Sequence, residues 1–293
     1  MKKEKVLIGT GCSHTQGSAF LKNKTFKGDQ LELATDEVKN KYNREYVTEE
    51  WITENITWMG KLNNHLKYDK ILNFGLGGRG FEANIRSLRS YTYKVQDLSN
   101  HLIIIALPEF TRKEFLVNTG EEIIDFFHGE YNHTYYRLNM ASSAVNYKSG
   151  KTFIKTYYHP EFNEYILLNE LYYLQDYLEL KGAKVFSFPF KCGWKNMDDI
   201  KYKYKNLVEH SENWYNFFTP THSFHTELQT PPEPEEIIEK INWLFVGNWG
   251  GLGVEETTLH GAGLVKDDMH LSELGNEFLA ETIYEALNEK MVI

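Results

Sequence analysis

Residues 5–17 have the sequence KVLIGTGCSHTQG. The apolar run inside Lys5–Thr10 predicts a β-strand, and the polar stretch after it predicts the start of a helix. Glycines at positions 9, 11 and 17 permit a tight turn between the two elements. A buried strand that passes through a Gly-rich turn into a helix is typical of α/β proteins with a parallel sheet, so this stretch sets the expected fold class.

Further apolar runs repeat this pattern along the chain. They predict strands at 70–74, 102–106 and 184–188, with a candidate fifth strand at 241–245. None alternates strictly between apolar and polar residues, and near-continuous apolar runs are typical of strands covered on both faces. We therefore expect an α/β fold with about five parallel strands and helices on both faces of the sheet.

Two helices are clear from the sequence. The first carries leucines at i, i+4, i+7 and i+11, namely Leu167, Leu171, Leu174 and Leu178. Gly182 follows it at the place where a helix C-terminal glycine is expected. The last helix begins near Ser272, a good N-cap residue type. We expect its inward face to consist of Leu274, Phe278, Ile283 and Leu287.

Polar and aromatic insertions separate the predicted strands. We expect a single domain over 1–293 with insertions near 20–65, 113–160 and 205–236. The last of these contains the run PPEP at 231–234, which favours a loop or linker. Such a run could also mark a domain boundary. We prefer an insertion because the two halves of the candidate site lie on either side of it.

Composition excludes several classes of protein. The net charge of −9 argues against a nucleic-acid partner, since gripping phosphates needs clustered Lys and Arg. Two cysteines, Cys12 and Cys192, are too few for a disulfide framework. The apolar run near the N-terminus is too short for a signal peptide, and no run approaches membrane-spanning length. We expect a cytoplasmic protein without a membrane partner; the oligomeric state is unknown from sequence.

Two motifs at opposite ends of the chain predict serine chemistry. Ser13 follows the first strand, where α/β proteins bind ligands, and the sequence DDMH at 267–270 precedes the last helix. A serine hydroxyl needs a base to take its proton, and His270 could do so with Asp267 orienting the imidazole. The structural alternatives are a capping serine in a Gly-rich turn and a surface loop.

A second Gly-rich turn follows the second strand. Residues 73–80 have the sequence NFGLGGRG, which can aim main-chain N–H groups at an anion. An ordinary strand-to-helix turn and a phosphate-binding loop are the alternatives. The spacing does not match the nucleotide-binding glycine patterns, which makes the phosphate loop the weaker of the two.

Taken together, the three motifs resemble the SGNH (GDSL-type) hydrolase superfamily. Residues 11–17 match its first block, residues 73–78 its second and residues 267–270 its fifth. The resemblance implies a three-layer, flavodoxin-like fold with Ser13 as nucleophile, His270 as base and Asp267 as its orienter. It also implies oxyanion donors from the Ser13 amide and Gly78, with Asn73 beside them. The chain further resembles SGNH-type proteins of large phages.

The chain departs from the family pattern at two places. Cys12 replaces the usual aspartate, and we expect a small buried residue there rather than a thiol nucleophile. The third block, Gly-x-Asn-Asp in the family, is replaced by ALPEFTR at 106–112. Losing an oxyanion donor costs roughly 10²–10³ in rate. We expect Arg112, or an asparagine from elsewhere, to supply it, and Glu109 to point away, pair with a base such as Arg112, or stay protonated.

The sequence indicates no cofactor. His222 and His225 could offer two ligands, but they lie in a Pro- and Thr-rich stretch without a nearby cysteine, so we expect no metal. The expected function is hydrolysis of an ester, a short acyl group on a carbohydrate or similar polar molecule, through an acyl-enzyme on Ser13. The partner is then a small-molecule or glycan ester. The alternatives are an acyltransferase with the same triad and a catalytically weak SGNH-fold binding or assembly protein.

Overall fold

The computed structural model describes most of the elements that the sequence predicts. It describes residues 3–21, 35–44, 47–75, 77, 80–108, 112–125, 129–139, 160–190, 196–201, 234–246, 264 and 270–291. For 37, 112–125, 129–139, 160–165, 234–235 and 291 it describes the main chain without the side chains. The strands are β1 Val6–Thr10, β2 Lys70–Asn73, β3 His101–Leu107, β4 Arg112–Asp125, β5 Gly129–Asn139 and β6 Lys184–Pro189.

Helices connect these strands. They are α1 Ser13–Gln16, α2 Asp36–Lys41, α3 Glu49–Asn55, α4 Trp58–Leu66, α5 Phe81–Lys94, α6 Pro160–Leu180, α7 Pro234–Lys240 and α8 Glu273–Met291. A 3₁₀ turn, Ser18–Phe20, follows α1. Of the helices that the structure describes, none combines the length and the apolar character needed to cross a bilayer.

The main sheet is parallel and has the order β2-β1-β3-β6. From β1 the chain moves to β2 on one side and then returns to β3 on the other side. This reversal leaves a crevice between the carboxyl ends of β1 and β3, which is where open α/β sheets bind ligands. The order is the flavodoxin-like one, and the predicted α/β fold class with a parallel sheet is confirmed.

A fifth position continues the sheet beyond β6. Trp243 forms a parallel bridge with Ser187. The Ser187 N–H donates to the Asn242 carbonyl at 2.9 Å, and the Leu244 N–H donates to the Ser187 carbonyl at 2.8 Å. The candidate fifth strand at 241–245 is therefore present as one bridge rather than as a full ladder.

Helices cover both faces of the sheet because its strands are apolar on both sides. Val6 and Ile8 pack into one cluster with α5, α6 and α7, and Leu7 packs into another with α4 and α8. Successive residues of β3 divide between the same two clusters. The result is a helix–sheet–helix sandwich. A smaller cluster lies within the first predicted insertion, around Ile52 and Ile56.

Helix α6 follows its predicted face. Its four leucines are at most 1% exposed: Leu167, Leu171, Leu174 and Leu178. Fully burying one such side chain contributes about 1.5–3 kcal/mol. Gly182 ends the helix with φ +95°, a left-handed conformation that glycine adopts without strain. The predicted helix and its C-terminal glycine are confirmed.

Helix α8 begins as predicted but presents a different face. The Ser272 hydroxyl accepts the Gly275 N–H at 3.0 Å, as an N-cap serine does. The expected burial of Leu274 and Phe278 is wrong, since they are 52% and 49% exposed. The buried stripe consists of Asn276, Leu279, Ala280, Ile283 and Leu287. Because Asn276 occupies an inward position, the stripe passes beside the two large apolar residues.

A long antiparallel hairpin occupies part of the second predicted insertion. Strands β4 and β5 pair from Arg112 opposite Asn139 to Asp125 opposite Gly129, with an irregularity between Asn118 and Ile123. The sequence predicts no strand in this region. Its residues do not alternate cleanly between polar and apolar, and no Asn-Gly or Asp-Gly pair marks the turn.

Candidate functional site

Ser13 lies at the crevice between β1 and β3. It is the first residue of α1, directly beyond the carboxyl end of β1, and it is half-buried. The Gln16 N–H donates to the Cys12 carbonyl at 3.1 Å, which closes the single turn of this helix. Gly17, with φ +79°, then ends it. Ser13 is thus fixed on a short turn at the edge where ligands of α/β folds bind.

Close packing explains the glycine two residues before Ser13. A Cβ on Gly11 would lie 2.3 Å from the Thr15 hydroxyl oxygen and 3.1 Å from the Ala106 carbonyl oxygen. A side chain at this position would therefore push α1 away from β3. Glycine permits the turn that carries Ser13 to sit directly against the next strand.

The second Gly-rich turn packs against α1. The Asn73 side-chain nitrogen donates to the Thr15 carbonyl at 2.7 Å and to the Thr53 hydroxyl at 3.0 Å. The Asn73 side-chain oxygen accepts the Gly75 N–H at 2.9 Å. A Cβ on Gly75 would lie 2.6 Å from the main-chain nitrogen of Gln16. In these contacts Asn73 ties the turn after β2 to the turn after β1.

Gln16 adds a second link between the two turns. Its side-chain oxygen accepts the Gly77 N–H at 2.8 Å and the Ser18 hydroxyl at 2.9 Å. Its side-chain nitrogen donates to Glu49 at 3.2 Å. The first and second sequence blocks are therefore joined by direct hydrogen bonds.

The structure brings His270 to the turn that carries Ser13. The ring centroid of His270 lies 4.9 Å from that of His14, and the two planes are inclined by 33°. The next residue, Leu271, directs its main-chain N–H to His14 Nδ1 at 3.4 Å. The two predicted ends of the site thus meet at the carboxyl edge of the sheet, although 256 positions separate the histidines in sequence (270 minus 14).

His14 is the residue that the sequence analysis missed. It is 4% exposed, and its ring also lies 4.8 Å from the ring of Phe190. Because Nδ1 accepts an N–H, the neutral imidazole carries its proton on Nε2; this tautomer is inferred from the hydrogen bond. The only hint in the sequence is that this histidine directly follows Ser13 in the first block.

Helix α8, which begins three residues after His270, is held at its first turn. The Glu273 carboxylate accepts hydrogen bonds from Lys41 and Tyr42 and lies 3.5 Å from Lys61 Nζ. Burial raises the pKa of Glu273, but these hydrogen bonds and positive charges outweigh it and leave the pKa below its ordinary value. Burial and the Glu273 carboxylate raise the pKa of Tyr42.

Cys12 is a buried packing residue. It is 2% exposed and belongs to the cluster of the sheet face covered by α4 and α8. The expectation of a small buried residue before Ser13 is confirmed. In the part of the chain that the structure describes, no group of three or more His, Cys, Asp or Glu side chains could hold a metal.

Other predicted residues are not placed. Asp267, Gly78, Glu109 and the pair His222 and His225 lie outside the described residues. Arg112 is the first residue of β4, and its side chain is likewise outside the description. The roles predicted for all of these residues stay predictions.

Comparisons with known proteins found similar solved structures at low sequence identity. No protein-family model and no curated protein matches the chain. It is similar to the structure of TesA at 12% identity and a TM-score of 0.42, over 97% of this chain and 99% of that one. A member of the lipolytic G-D-S-L family from Veillonella parvula is 10% identical with a TM-score of 0.39, over 96% and 97% of the two chains.

A third similar structure is an Axe2 mutant, an acetyl-xylooligosaccharide esterase from Geobacillus. It is 14% identical with a TM-score of 0.40, over 98% of this chain and 96% of that one. Lipolytic G-D-S-L proteins are thus among the solved structures to which the chain is similar. The resemblance to phage proteins stays a prediction.

Proposed function

We propose that this chain is a serine hydrolase of the SGNH type that cleaves an ester through an acyl-enzyme on Ser13. The observation that carries the proposal is the meeting of His270 with the turn of Ser13 at the carboxyl edge of the sheet. A hydroxyl at that edge and an imidazole from the far end of the chain are the two groups that nucleophilic acyl transfer needs.

In the proposed mechanism, Ser13 Oγ attacks the ester carbonyl carbon while His270 takes the hydroxyl proton. The tetrahedral intermediate collapses, and His270 returns the proton to the departing alcohol. Water then attacks the acyl-enzyme and gives a proton to His270. That proton passes to Ser13 Oγ as the carboxylic acid leaves. Asp267 orients His270 in this proposal, and the amides of Ser13 and Gly78 stabilise the oxyanion.

The substrate we propose is a short acyl ester of a carbohydrate or a similar polar molecule. Transfer of the acyl group to another hydroxyl in place of water uses the same residues. A pocket that excludes water and holds an acceptor alcohol would favour that transfer.

One sequence feature favours a second candidate, a binding or assembly protein with weak turnover. The stretch ALPEFTR at 106–112 lacks the third-block asparagine that supplies an oxyanion donor in the family. Without a substitute donor, the rate falls by roughly 10²–10³. The two candidates therefore differ in the reactivity of Ser13.

Labelling with a fluorophosphonate probe measures that reactivity directly. We expect the wild-type protein to be labelled and both Ser13→Ala and His270→Ala to lose labelling. Ser99→Ala is a matched control, because Ser99 is exposed before the amino end of β3, at the opposite edge of the sheet. Cys12→Ala separates a thiol from a hydroxyl nucleophile and should label normally. A folded wild-type protein that is not labelled would contradict the hydrolase and favour the binding protein.

If the wild-type protein is labelled, the substrate class is then tested by measuring the carboxylic acid released from candidate esters. Acetylated sugars and short p-nitrophenyl esters are incubated with the wild-type protein and with Ser13→Ala. Serine-dependent release of acetate from the sugars is the expected result. Transfer to an added alcohol, without release of acid, would indicate the acyltransferase instead.

A further inference from the structure

The side chain of His14 makes two contacts with consecutive residues of the segment that carries the proposed base. Its ring packs against the ring of His270, and its Nδ1 accepts the Leu271 N–H. Both contacts come from the residue next to Ser13. One side chain therefore links the turn that carries the nucleophile to the segment that carries the base.

The ring of His14 also packs against a group of buried aromatic side chains. It lies 4.8 Å from Phe190, inclined by 56°. Phe190 in turn packs edge-on against Phe188, with centroids 5.9 Å apart, and Phe188 does the same against Trp58 at 5.8 Å. Phe190, Phe188 and Trp58 are each at most 2% exposed. The His14 ring thus contacts both a buried aromatic core and His270.

The main chain beside His270 has a further anchor. The Ser272 N–H donates to the Leu264 carbonyl at 2.9 Å, and Leu271 is 2% exposed within the same core cluster. The contacts of His14 therefore fall on a segment whose path is fixed immediately after His270. The ring of His14 adds a surface against which the imidazole of His270 packs.

We propose that His14 is a positioning residue for His270, its ring fixing the plane of the His270 imidazole and its Nδ1 holding the main chain at Leu271. The inference deepens the proposed function, because a base must be held within hydrogen-bond reach of the hydroxyl that it deprotonates. Displacing a reacting group by ~1 Å costs on the order of 10²-fold in rate. His14 itself transfers no proton in this scheme.

Three substitutions separate the two contacts. His14→Phe keeps an aromatic ring and loses the acceptor. His14→Asn places a carbonyl oxygen near the position of Nδ1 and loses the ring. His14→Ala removes both. The hydrogen bond, at 3.4 Å, is long, so we expect the ring contact to matter more. The expected order of labelling rates is wild type, His14→Phe, His14→Asn and then His14→Ala, with the last slower on the order of 10²-fold.

A stability control distinguishes positioning from general loosening of the core. Leu287→Ala weakens the same core cluster, since Leu287 is fully buried near the end of α8, and it lies outside the row of aromatic rings that holds His14. We expect this variant to unfold at lower temperature yet label at close to the wild-type rate. On p-nitrophenyl acetate, the His14 variants should lower kcat and leave KM nearly unchanged, because His14 acts on the base and not on substrate binding.

A second measurement decides the inference without any activity. The full chain is isotope-labelled at histidine for NMR. The ring proton signals of His270 are assigned by their loss in His270→Gln. The His14 ring predicts a ring-current shift of these signals that is retained in His14→Phe and abolished in His14→Ala and His14→Asn. If this pattern appears in a protein that neither reacts with the fluorophosphonate probe nor hydrolyses esters, His14 still positions His270 and only the proposed function fails. If the His270 signals are the same in His14→Ala as in the wild type, the inference is wrong whatever the activity.

Discussion

The side-chain oxygen of Asn276 accepts the main-chain N–H of Trp58 at 2.8 Å. The Trp58 N–H is one of the first N–H groups of α4, which have no acceptor within the helix, and a residue of α8 supplies an acceptor for it. The Asn276 nitrogen donates to the Ser272 carbonyl at 2.8 Å, at the start of its own helix. One buried amide therefore joins the beginning of α4 to the segment that follows His270.

Asn276→Ala should destabilise the fold by about 1–3 kcal/mol, because it leaves the buried Trp58 N–H without an acceptor. Asn64→Ala, the same change on the exposed face of α4, is the matched control and should be close to neutral. Urea unfolding of both variants measures the difference. Equal stability of the two would show that the Asn276 bond contributes nothing.

Two fully buried threonines predict opposite effects of one substitution. Thr10 and Thr57 are both 0% exposed. Among the described residues the Thr10 hydroxyl has no hydrogen-bond partner, whereas the Thr57 hydroxyl donates to the Thr53 carbonyl at 2.8 Å. Thr10→Val should raise the free energy of unfolding by about 1 kcal/mol, and Thr57→Val should lower it by a similar amount. Thermal or urea unfolding gives the sign. A destabilised Thr10→Val would mean that its hydroxyl is hydrogen-bonded after all.

Gly75→Ala should disturb the site through the main chain. The new Cβ would lie 2.6 Å from the Gln16 nitrogen and 2.8 Å from the Thr15 Cβ, so the turn that carries Ser13 must shift. We expect a loss of stability of about 1–3 kcal/mol and slower fluorophosphonate labelling. In Gly9→Ala the clash is with the side chain of Met59 and not with the main chain of the turn that carries Ser13, so this control should keep more of the labelling. Equal labelling of the two variants would show that the close contact of Gly75 with Gln16 does not position Ser13.

Glu273 predicts a pH-dependent contribution to stability. Its pKa in the folded protein is below the ordinary value of 4.5, so its ion pairs stabilise the fold above that pH and the effect is lost as pH falls further. Glu273→Gln should therefore be destabilised at pH 7, by about 1 kcal/mol or less for this partly exposed group. The difference from wild type should vanish at acid pH.

Glu281→Gln, an exposed change on the same helix, is the control for Glu273→Gln and should show little difference at either pH. Urea unfolding at several pH values measures both variants. A difference for Glu273→Gln that grows as the pH falls would reverse the predicted sign.

The sequence predicts the central sheet well because each of its strands is apolar on both faces and is bounded by turn residues. The inward face of α8 could not be predicted from hydrophobicity alone. Asn276 is buried because it bonds to Trp58, a partner 218 positions away, and this rotates Leu274 and Phe278 into solvent. A long-range hydrogen bond of this kind leaves no trace in local periodicity.

Short motifs with recognisable chemistry single out Ser13 and His270 from the sequence, but the contacts that connect the two segments cannot be predicted in this way. The role of Asn73 in joining two turns, and the contact of His14 with His270, depend on distances between elements remote in sequence. His14 had no helical or strand period to mark it, only its place beside Ser13.

The order of synthesis has a consequence for a site built from the two ends of this chain. Ser13 is synthesised before His270 and α8, which follow almost all the rest of the described chain. Until α8 emerges, Leu279 and Ile283 are missing from their cluster, and that face of the sheet is open to aggregation. While the residues between them are translated, the nascent protein thus carries its proposed nucleophile without its proposed base.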